Sequence, residues 1–172
     1  MSKNLIIYFS RKGENYVNGS IRNLSKGNTE YVAECIRKTV GGDLFEVQTV
    51  KGYSPSYMAC IEEAKEELKE RARPELQEYL EDISDYDHIF ICGPCWWGVY
   101  PMAIYSLIDR LDFAGKKVMA VVTHEGSGLG NCEKDLKKHL RGNPSYGKAL
   151  AVHGADAPRS ESEVSAWAKA QL

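Results

Sequence analysis

Five short apolar runs spaced by helix-period segments constrain this chain more than any other feature. Residues 5–9, Leu5-Ile6-Ile7-Tyr8-Phe9, are apolar without a break, which suits a strand buried on both faces. Residues 44–50 alternate as Leu-Phe-Glu-Val-Gln-Thr-Val and read as a second strand. Residues 88–92, 116–123 and 148–152 supply three more, the fourth centred on Val118-Met119-Ala120-Val121-Val122. Between them apolar residues recur at helical spacing. Val32, Ala33, Ile36 and Val40 lead to a stop at Gly41-Gly42; Ile61, Ala64, Leu68 and Ala72 stripe a charged helix over 57–72 that Pro74 ends. Leu76, Leu80 and Ile83 form a short helical or irregular lead-in to the third strand. Ile104, Leu107, Ile108 and Leu111 follow Pro101, which fits a first helical turn; Cys132, Leu136 and Leu140 follow Asn131; Val164, Trp167 and Ala168 lie in a last helix over 160–172. Asn28 and Asn131 are the predicted N-caps of their helices. Strand and helix in alternation predict an α/β fold with a parallel sheet covered on both faces. In such sheets ligands bind outside the carboxyl ends of the strands, where the strand order reverses.

Size and charge narrow the function. At 172 residues, 43% of them hydrophobic, the chain is expected to form a single domain, 1–172, with a full core. Lys and Arg number 22 against 24 Asp and Glu, so the net charge is 22 − 24 = −2 and no basic face for nucleic acid is expected. No apolar run reaches the roughly 20 residues of a membrane span, and residues 1–4 lead straight into a strand without a signal-peptide pattern. Five cysteines at scattered spacings read as reduced thiols, and so as a cytoplasmic protein. No internal repeat and no set of metal ligands stands out.

Three loops should then carry the chemistry, because they follow the first, third and fourth strands: residues 10–29, 93–98 and 124–131. In the first, Ser10, Asn28 and Thr29 flank a helix N-terminus, where free N–H groups and the helix dipole favour a phosphate. It lacks the spacing of a Walker A loop. Its interior, 11–26, shows no sustained period and reads as a long loop. The second loop, Gly93-Pro94-Cys95-Trp96-Trp97-Gly98, sets two aromatic faces beside a flexible backbone, one suited to stack on a flat ligand and the other to pack inward. The third, Gly126-Ser127-Gly128-Leu129-Gly130, fails as a dinucleotide fingerprint, since Asn131 stands at its sixth position and it follows the fourth strand. Its glycines instead permit close backbone approach to a polar ring edge.

Cys92-Gly93-Pro94-Cys95 also spells a redox dithiol. Such a motif needs its first cysteine exposed at a helix N-terminus. Here Cys92 continues a buried strand, and Trp96, Trp97 and Gly98 intervene before the next helix, so the spelling is set aside. A phosphorylatable receiver domain needs carboxylates at the ends of early strands, and the first strand ends Tyr8-Phe9-Ser10. A small phosphatase needs Arg six positions after a Cys, and none is there.

Together these loops resemble the flavodoxin family, in particular its branch with a Trp-Trp-Gly loop. Tyr8-Phe9-Ser10-Arg11 followed by Gly27-Asn28-Thr29 is similar to its phosphate loop. Gly93 to Gly98 and then Thr123-His124-Glu125-Gly126-Ser127-Gly128-Leu129-Gly130 are similar to its flavin-ring half. The resemblance implies a flavodoxin-like three-layer sandwich, a five-stranded parallel sheet in the order 2-1-3-4-5 with helices on both faces, binding FMN. It implies that Ser10, Asn28 and Thr29 hold the phosphate. It implies that Pro94, Cys95, Trp96, Trp97 and Gly98 face Thr123, His124, Glu125, Gly126, Ser127, Gly128 and Gly130 across the isoalloxazine. The flavin, not a side chain, would carry the chemistry. Members either shuttle electrons to a redox partner protein or act as NAD(P)H- or quinone-linked oxidoreductases, as monomers or homodimers. Two other readings are a thiol-disulfide protein using Cys92 and Cys95, and a flavodoxin-fold binding module without flavin. The departure from the family is the insertion at about 11–26. It brings Arg11, Lys12, Arg22 and Lys26 against one acidic residue, Glu14. Either Arg11 and Lys12 add cationic contacts to the phosphate, or the insert folds over the flavin as part of a second-substrate pocket.

Overall fold

The protein is described from a computed structural model covering residues 3–172. The central sheet contains β1 (Asn4–Tyr8), β4 (Asp43–Glu46), β5 (His88–Pro94), β6 (Lys117–His124), β7 (Ser145–Tyr146) and β8 (Leu150–His153). Its order is β4-β1-β5-β6, with β8 beside the carboxyl half of β6 and the two-residue β7 beside its amino half, every pairing parallel. Counted by the five sequence runs this is 2-1-3-4-5, as the resemblance implied; β7 is the addition. Register fixes what meets at the carboxyl edge. Tyr8 pairs with Cys92, Pro94 with Thr123, and His124 with His153. The loops after β1, β5, β6 and β8 therefore leave the sheet side by side.

Both faces are covered, which is why the central strands β1, β5 and β6 carry no polar alternation. Leu5, Ile7, Ile89, Ile91, Val118 and Val122 join α3 (Met102–Ile108) and α4 (Cys132–His139) in one core. Ile6, Tyr8, Phe90, Cys92, Met119 and Val121 join α1 (Asn28–Val40) and α5 (Glu161–Gln171) in the other. The charged helix is α2 (Tyr57–Glu70), two residues shorter than its apolar pattern suggested, because Arg71 turns left-handed at its end. Residues 76–83 are irregular, anchored by a bridge between Leu76 and Thr49. A 3-10 turn over Gly154–Arg159 precedes α5, which begins at Glu161. Pro101 is the N-cap of α3 rather than a member of its first turn.

Two sequence expectations are corrected. Residues 11–26 are not an irregular loop. They form an antiparallel hairpin, β2 (Gly13–Val17) and β3 (Ser20–Leu24), whose two-residue turn places Asn18 and Gly19 at φ 52° and 87°. That is the left-handed pair a tight hairpin with native twist demands, and Asn-Gly is its preferred sequence. Asn28 is not the N-cap of α1. Gly27 is, with no side-chain cap of its own, and Ser10 Oγ, reaching in from the end of β1, accepts the Glu30 amide at 3.1 Å. Asn131 is at the N-cap of α4 as expected, but its side chain makes no capping bond.

Cys92 is fully buried among Phe90, Val121 and Val32, while Cys95 packs against the opposite core. The two thiols thus lie on different faces of the sheet, and burial pushes the Cys92 thiol well up. Cys92→Ser is expected to place a hydroxyl in an apolar core at a cost of about 1–3 kcal/mol, lowering Tm by roughly 3–10 °C. Thermal unfolding checks this, and an unchanged Tm would contradict the packing role.

Candidate functional site

The carboxyl edge of the sheet holds a cavity of ≈ 110 Å³ lined by Arg11, Asn15, Tyr16, Asn28, Thr29, Tyr57, Pro94, Cys95, Trp96, Thr123, His124, Glu125 and Gly154. A second cavity of ≈ 370 Å³ shares Arg11 and Trp96 and adds Ser10, Lys12, Glu30, Glu46 and Tyr53 among its walls. The first contains the junction at which the loops after the first, third and fourth sequence strands meet, so it is the candidate site.

One end of the cavity is built on α1. The first turn of a helix leaves its N–H groups without intrahelical partners, and thirteen residues of aligned dipole favour an anion there. Glu30 gives its amide to Ser10, while the amides of Asn28 and Thr29, in the first turn, have no intrahelical partner. Gly27 makes the cradle. A Cβ on it would lie 2.1 Å from Ser10 Oγ and 2.7 Å from the Arg11 carbonyl oxygen. Thr29 does not offer its hydroxyl freely: Thr29 Oγ1 and Thr123 Oγ1 are 2.7 Å apart and buried, tying α1 to the end of β6. These groups suit a phosphate held by amides.

Three of the four cations of the insert are spent elsewhere. Arg11 donates from Nε to the Glu14 carbonyl at 2.8 Å, and from Nη2 to the Ser54 carbonyl at 2.9 Å. It staples the hairpin to the segment before α2. Lys26 pairs with Glu34, and Arg22 donates to Ser20 Oγ on the exposed hairpin. Lys12 lines the larger cavity near Glu46, whose carboxyl is pushed up by burial and by Glu30 while Lys12 pulls it down. The hairpin tip is fastened across the site. Asn18 donates its amide to Glu125 Oε2 at 2.9 Å, and Tyr16 stacks on Tyr57 with ring centroids 6.1 Å apart.

The aromatic end separates the two tryptophans. Residues 96–99 close a tight turn, with the Trp96 amide donating to the Val99 carbonyl at 2.8 Å and Trp97 and Gly98 both at positive φ. Such a turn throws consecutive side chains apart. Trp96 points into the cavity wall, its ring edge-on to Phe9 at 5.1 Å and to Tyr53 at 5.2 Å. Trp97 is 48% exposed, donates Nε1–H to the Ile61 carbonyl on α2 at 2.8 Å, and lies under Lys65. It does not line the cavity.

The third loop contributes its first half. His124 lies 5.5 Å, edge-on, from His153, and burial followed by His153 pulls its pKa down, so the ring is neutral at pH 7. Its Nδ1 accepts the Gly126 amide at 2.9 Å, which leaves the ring proton on Nε2 as a donor. Gly126, Ser127, Gly128 and Gly130 do not line the cavity. Gly130 instead backs Cys95, and Gly98 accepts the Asn131 amide at 2.7 Å.

The flavodoxin family's sequence profile matches residues 20–170, most of the chain. The chain belongs to the flavodoxin family. No curated protein is a significant match. Among solved structures, a candidate flavoprotein of Bacteroides uniformis is 29% identical over 98% of both chains, with a TM-score of 0.75. A flavoprotein of Lactobacillus acidophilus, crystallised in complex with FMN, is 22% identical, covering 97% of this chain and 99% of its own, with a TM-score of 0.67. An NAD(P)H:quinone oxidoreductase of Methanothermobacter marburgensis is 12% identical, covering 98% and 96%, with a TM-score of 0.52. The last two likenesses concern the fold.

For a flavodoxin the expected loops are in place, and the cavity gathers nine of the expected residues: Arg11, Asn28, Thr29, Pro94, Cys95, Trp96, Thr123, His124 and Glu125. Four lining residues were not anticipated: Asn15, Tyr16, Tyr57 and Gly154. Gly154 follows β8 at the same edge. A Cβ there would lie 2.5 Å from Glu125 Oε1 and 2.7 Å from Asn28 Nδ2, so it is the point where the start of α1 and the loop after β6 touch. A run ending Ala151-Val152-His153 in a glycine was the available signal.

Proposed function

We propose that this flavodoxin binds one FMN and works as an FMN-dependent oxidoreductase on a small flat second substrate, with NAD(P)H and a quinone as the pair to test. One observation carries the reading: the N-terminus of α1, the turn over 94–98 and His124 with Glu125 converge on a single cavity at the switch point between β1 and β5. Bound FMN would supply the redox chemistry. The chain's own residues bind and cover it. Gly27, with the amides of Asn28 and Thr29, holds the phosphate. Trp96 forms a ring wall, and His124 offers Nε2–H to a ring carbonyl. The hairpin excludes water from above, through Tyr16 and Tyr57.

The covered site favours an enzyme over a carrier. An electron carrier exposes its flavin edge to a protein partner, whereas here the hairpin is fastened over the loops by Glu125 and Arg11. Net charge of −2 also gives little acidic surface for docking a redox partner. The described cysteines are all free thiols, which suits the cytoplasm, and no helix among the described residues is long and apolar enough to cross a membrane. Pockets for drug-sized ligands measure about 300–1,000 Å³, so the ≈ 110 Å³ cavity would have to open, at the hairpin, to admit FMN. The purified protein is expected to be yellow, to release FMN on acid treatment, and to turn over NAD(P)H with a quinone. A colourless protein that leaves FMN fluorescence unquenched would overturn the reading. A yellow protein without turnover would return it to the carrier class.

A further inference from the structure

The outer face of α2 and the ring of Trp97 are left uncovered by the fold. Six large apolar side chains are exposed among the described residues, and four of them, Tyr16, Ile21, Met58 and Trp97, fall in one stripe. Tyr16 and Ile21 are cross-strand neighbours on one face of the hairpin. Tyr16 stacks on Tyr57, the first residue of α2, and Met58 is the next. One turn further on, the Ile61 carbonyl accepts Trp97 Nε1–H, and Lys65 Nζ lies 5.3 Å from the centroid of the indole. Single apolar residues on a surface need no explanation, but a contiguous stripe marks a contact.

The charges along α2 indicate what makes that contact. At 3.6 residues per turn, Met58, Glu62, Lys65 and Lys69 share a narrow arc of the helix, with Glu66 on one flank and Ile61 on the other, beside Trp97. Glu62, Lys65, Glu66 and Lys69 are all exposed, and among the described residues none of them forms an ion pair. Their order, acid, base, acid, base, is self-complementary. Set antiparallel about a two-fold axis between residues 65 and 66, the helix puts Glu62 opposite Lys69 of a second copy and Lys65 opposite Glu66 of that copy. The symmetry repeats both pairs. Set parallel, each charge would meet its own like.

We propose that the outer face of α2 is the interface of a two-fold homodimer, antiparallel in this register, with Trp97 at its centre. The axis passes beside Lys65, the residue that covers Trp97, so the indole of each copy comes to the middle of the contact. Exposed ion pairs add little affinity. The buried apolar area of Trp97 and Met58 supplies it, and the charges fix the register. Tyr16 and Ile21 form the rim at each end. The contact rests on the outer face of α2, so it stands or falls apart from FMN binding.

Light scattering and sedimentation of the purified full chain over a range of concentrations test the dimer. The mass should rise toward that of two chains and no further, because an isologous contact closes on itself. Trp97→Ala should weaken association roughly 30-fold, the loss expected for a central aromatic. Glu62→Lys and Lys69→Glu, each alone, turn two attractions into repulsions and should weaken it roughly 10-fold. The two together exchange the charges and should bring the dimer back to within about twofold of its original affinity. Both positions are exposed on the helix, so if Trp97→Ala disturbs its turn by circular dichroism, the charge exchange still decides. A single-chain mass at every concentration would overturn the proposal and assign the stripe to a different protein. So would growth beyond two chains, a dimer indifferent to Trp97→Ala, or a double exchange as weak as either single change.

Discussion

Gly27→Ala is expected to abolish tight FMN binding while leaving the sheet intact. Gly27 has φ −68° and ψ 153°, a conformation alanine adopts without strain, so the effect is one of space alone. The added Cβ meets Ser10 Oγ at 2.1 Å and the Arg11 carbonyl oxygen and carbon at 2.7 and 2.9 Å. The serine can rotate, but the Arg11 backbone is fixed by the guanidinium staple to Ser54 and by the start of the hairpin. Either α1 shifts its first turn or the loop after β1 moves away, and both open the amide cradle. Overpacking of this kind costs about 1–3 kcal/mol. If about 2 kcal/mol of it falls on the bound state, Kd for FMN rises roughly 30-fold. Fluorescence quenching of FMN measures Kd directly. The double change with Ser10→Ala separates the two contacts. If only the hydroxyl mattered, removing it would restore binding; the clash with the Arg11 backbone says that it will not.

The same geometry shows where the sequence was legible and where it was not. The sheet order and the buried faces were readable because strands covered on both sides carry unbroken apolar runs, such as Leu5 to Tyr8 and Ile89 to Cys92. The hairpin was readable too. Asn18-Gly19 between residues able to alternate is the strongest short hairpin signal, and it was passed over because β2 and β3 are mostly exposed and lack an apolar face. The capping of α1 was not readable, because its acceptor is Ser10, twenty residues before Glu30. Asn28 looked like the cap because asparagine is preferred at that position over the neighbouring Gly27 and Thr29. Tyr57 lay hidden for a similar reason: its contact with Tyr16 spans the hairpin and α2, and no spacing encodes it. The Cys-Gly-Pro-Cys spelling is no dithiol, as the strand context of Cys92 implied. Alternation along β5 sends Cys92 and Cys95 to different cores.

Adjacent tryptophans with the same chemistry are a stringent test of the site, because only their turn distinguishes them. Trp96→Ala is expected to weaken FMN binding and to destabilise the fold. Stacking on an aromatic contributes about 1–3 kcal/mol, by analogy with base stacking, which is a roughly 5- to 150-fold change in Kd. The ring also packs edge-on against Phe9 and Tyr53, contacts worth about 0.5–1.5 kcal/mol each beyond their buried area. A loss of about 2–3 kcal/mol of stability follows, or a Tm lower by roughly 5–10 °C. Trp97→Ala removes an exposed ring, one bond to Ile61 and a contact with Lys65 worth about 0.5–1 kcal/mol. It should leave FMN affinity where it was. Melting curves without added flavin isolate the packing loss, and FMN titration of each folded variant isolates the stacking. Equal loss of affinity in the two variants would mean that the turn over 96–99 rearranges on binding and brings Trp97 inward. Loss in Trp97→Ala alone would reverse the assignment. An unchanged Kd in Trp96→Ala would remove the aromatic wall from the site and leave the phosphate cradle at Gly27 as its main anchor.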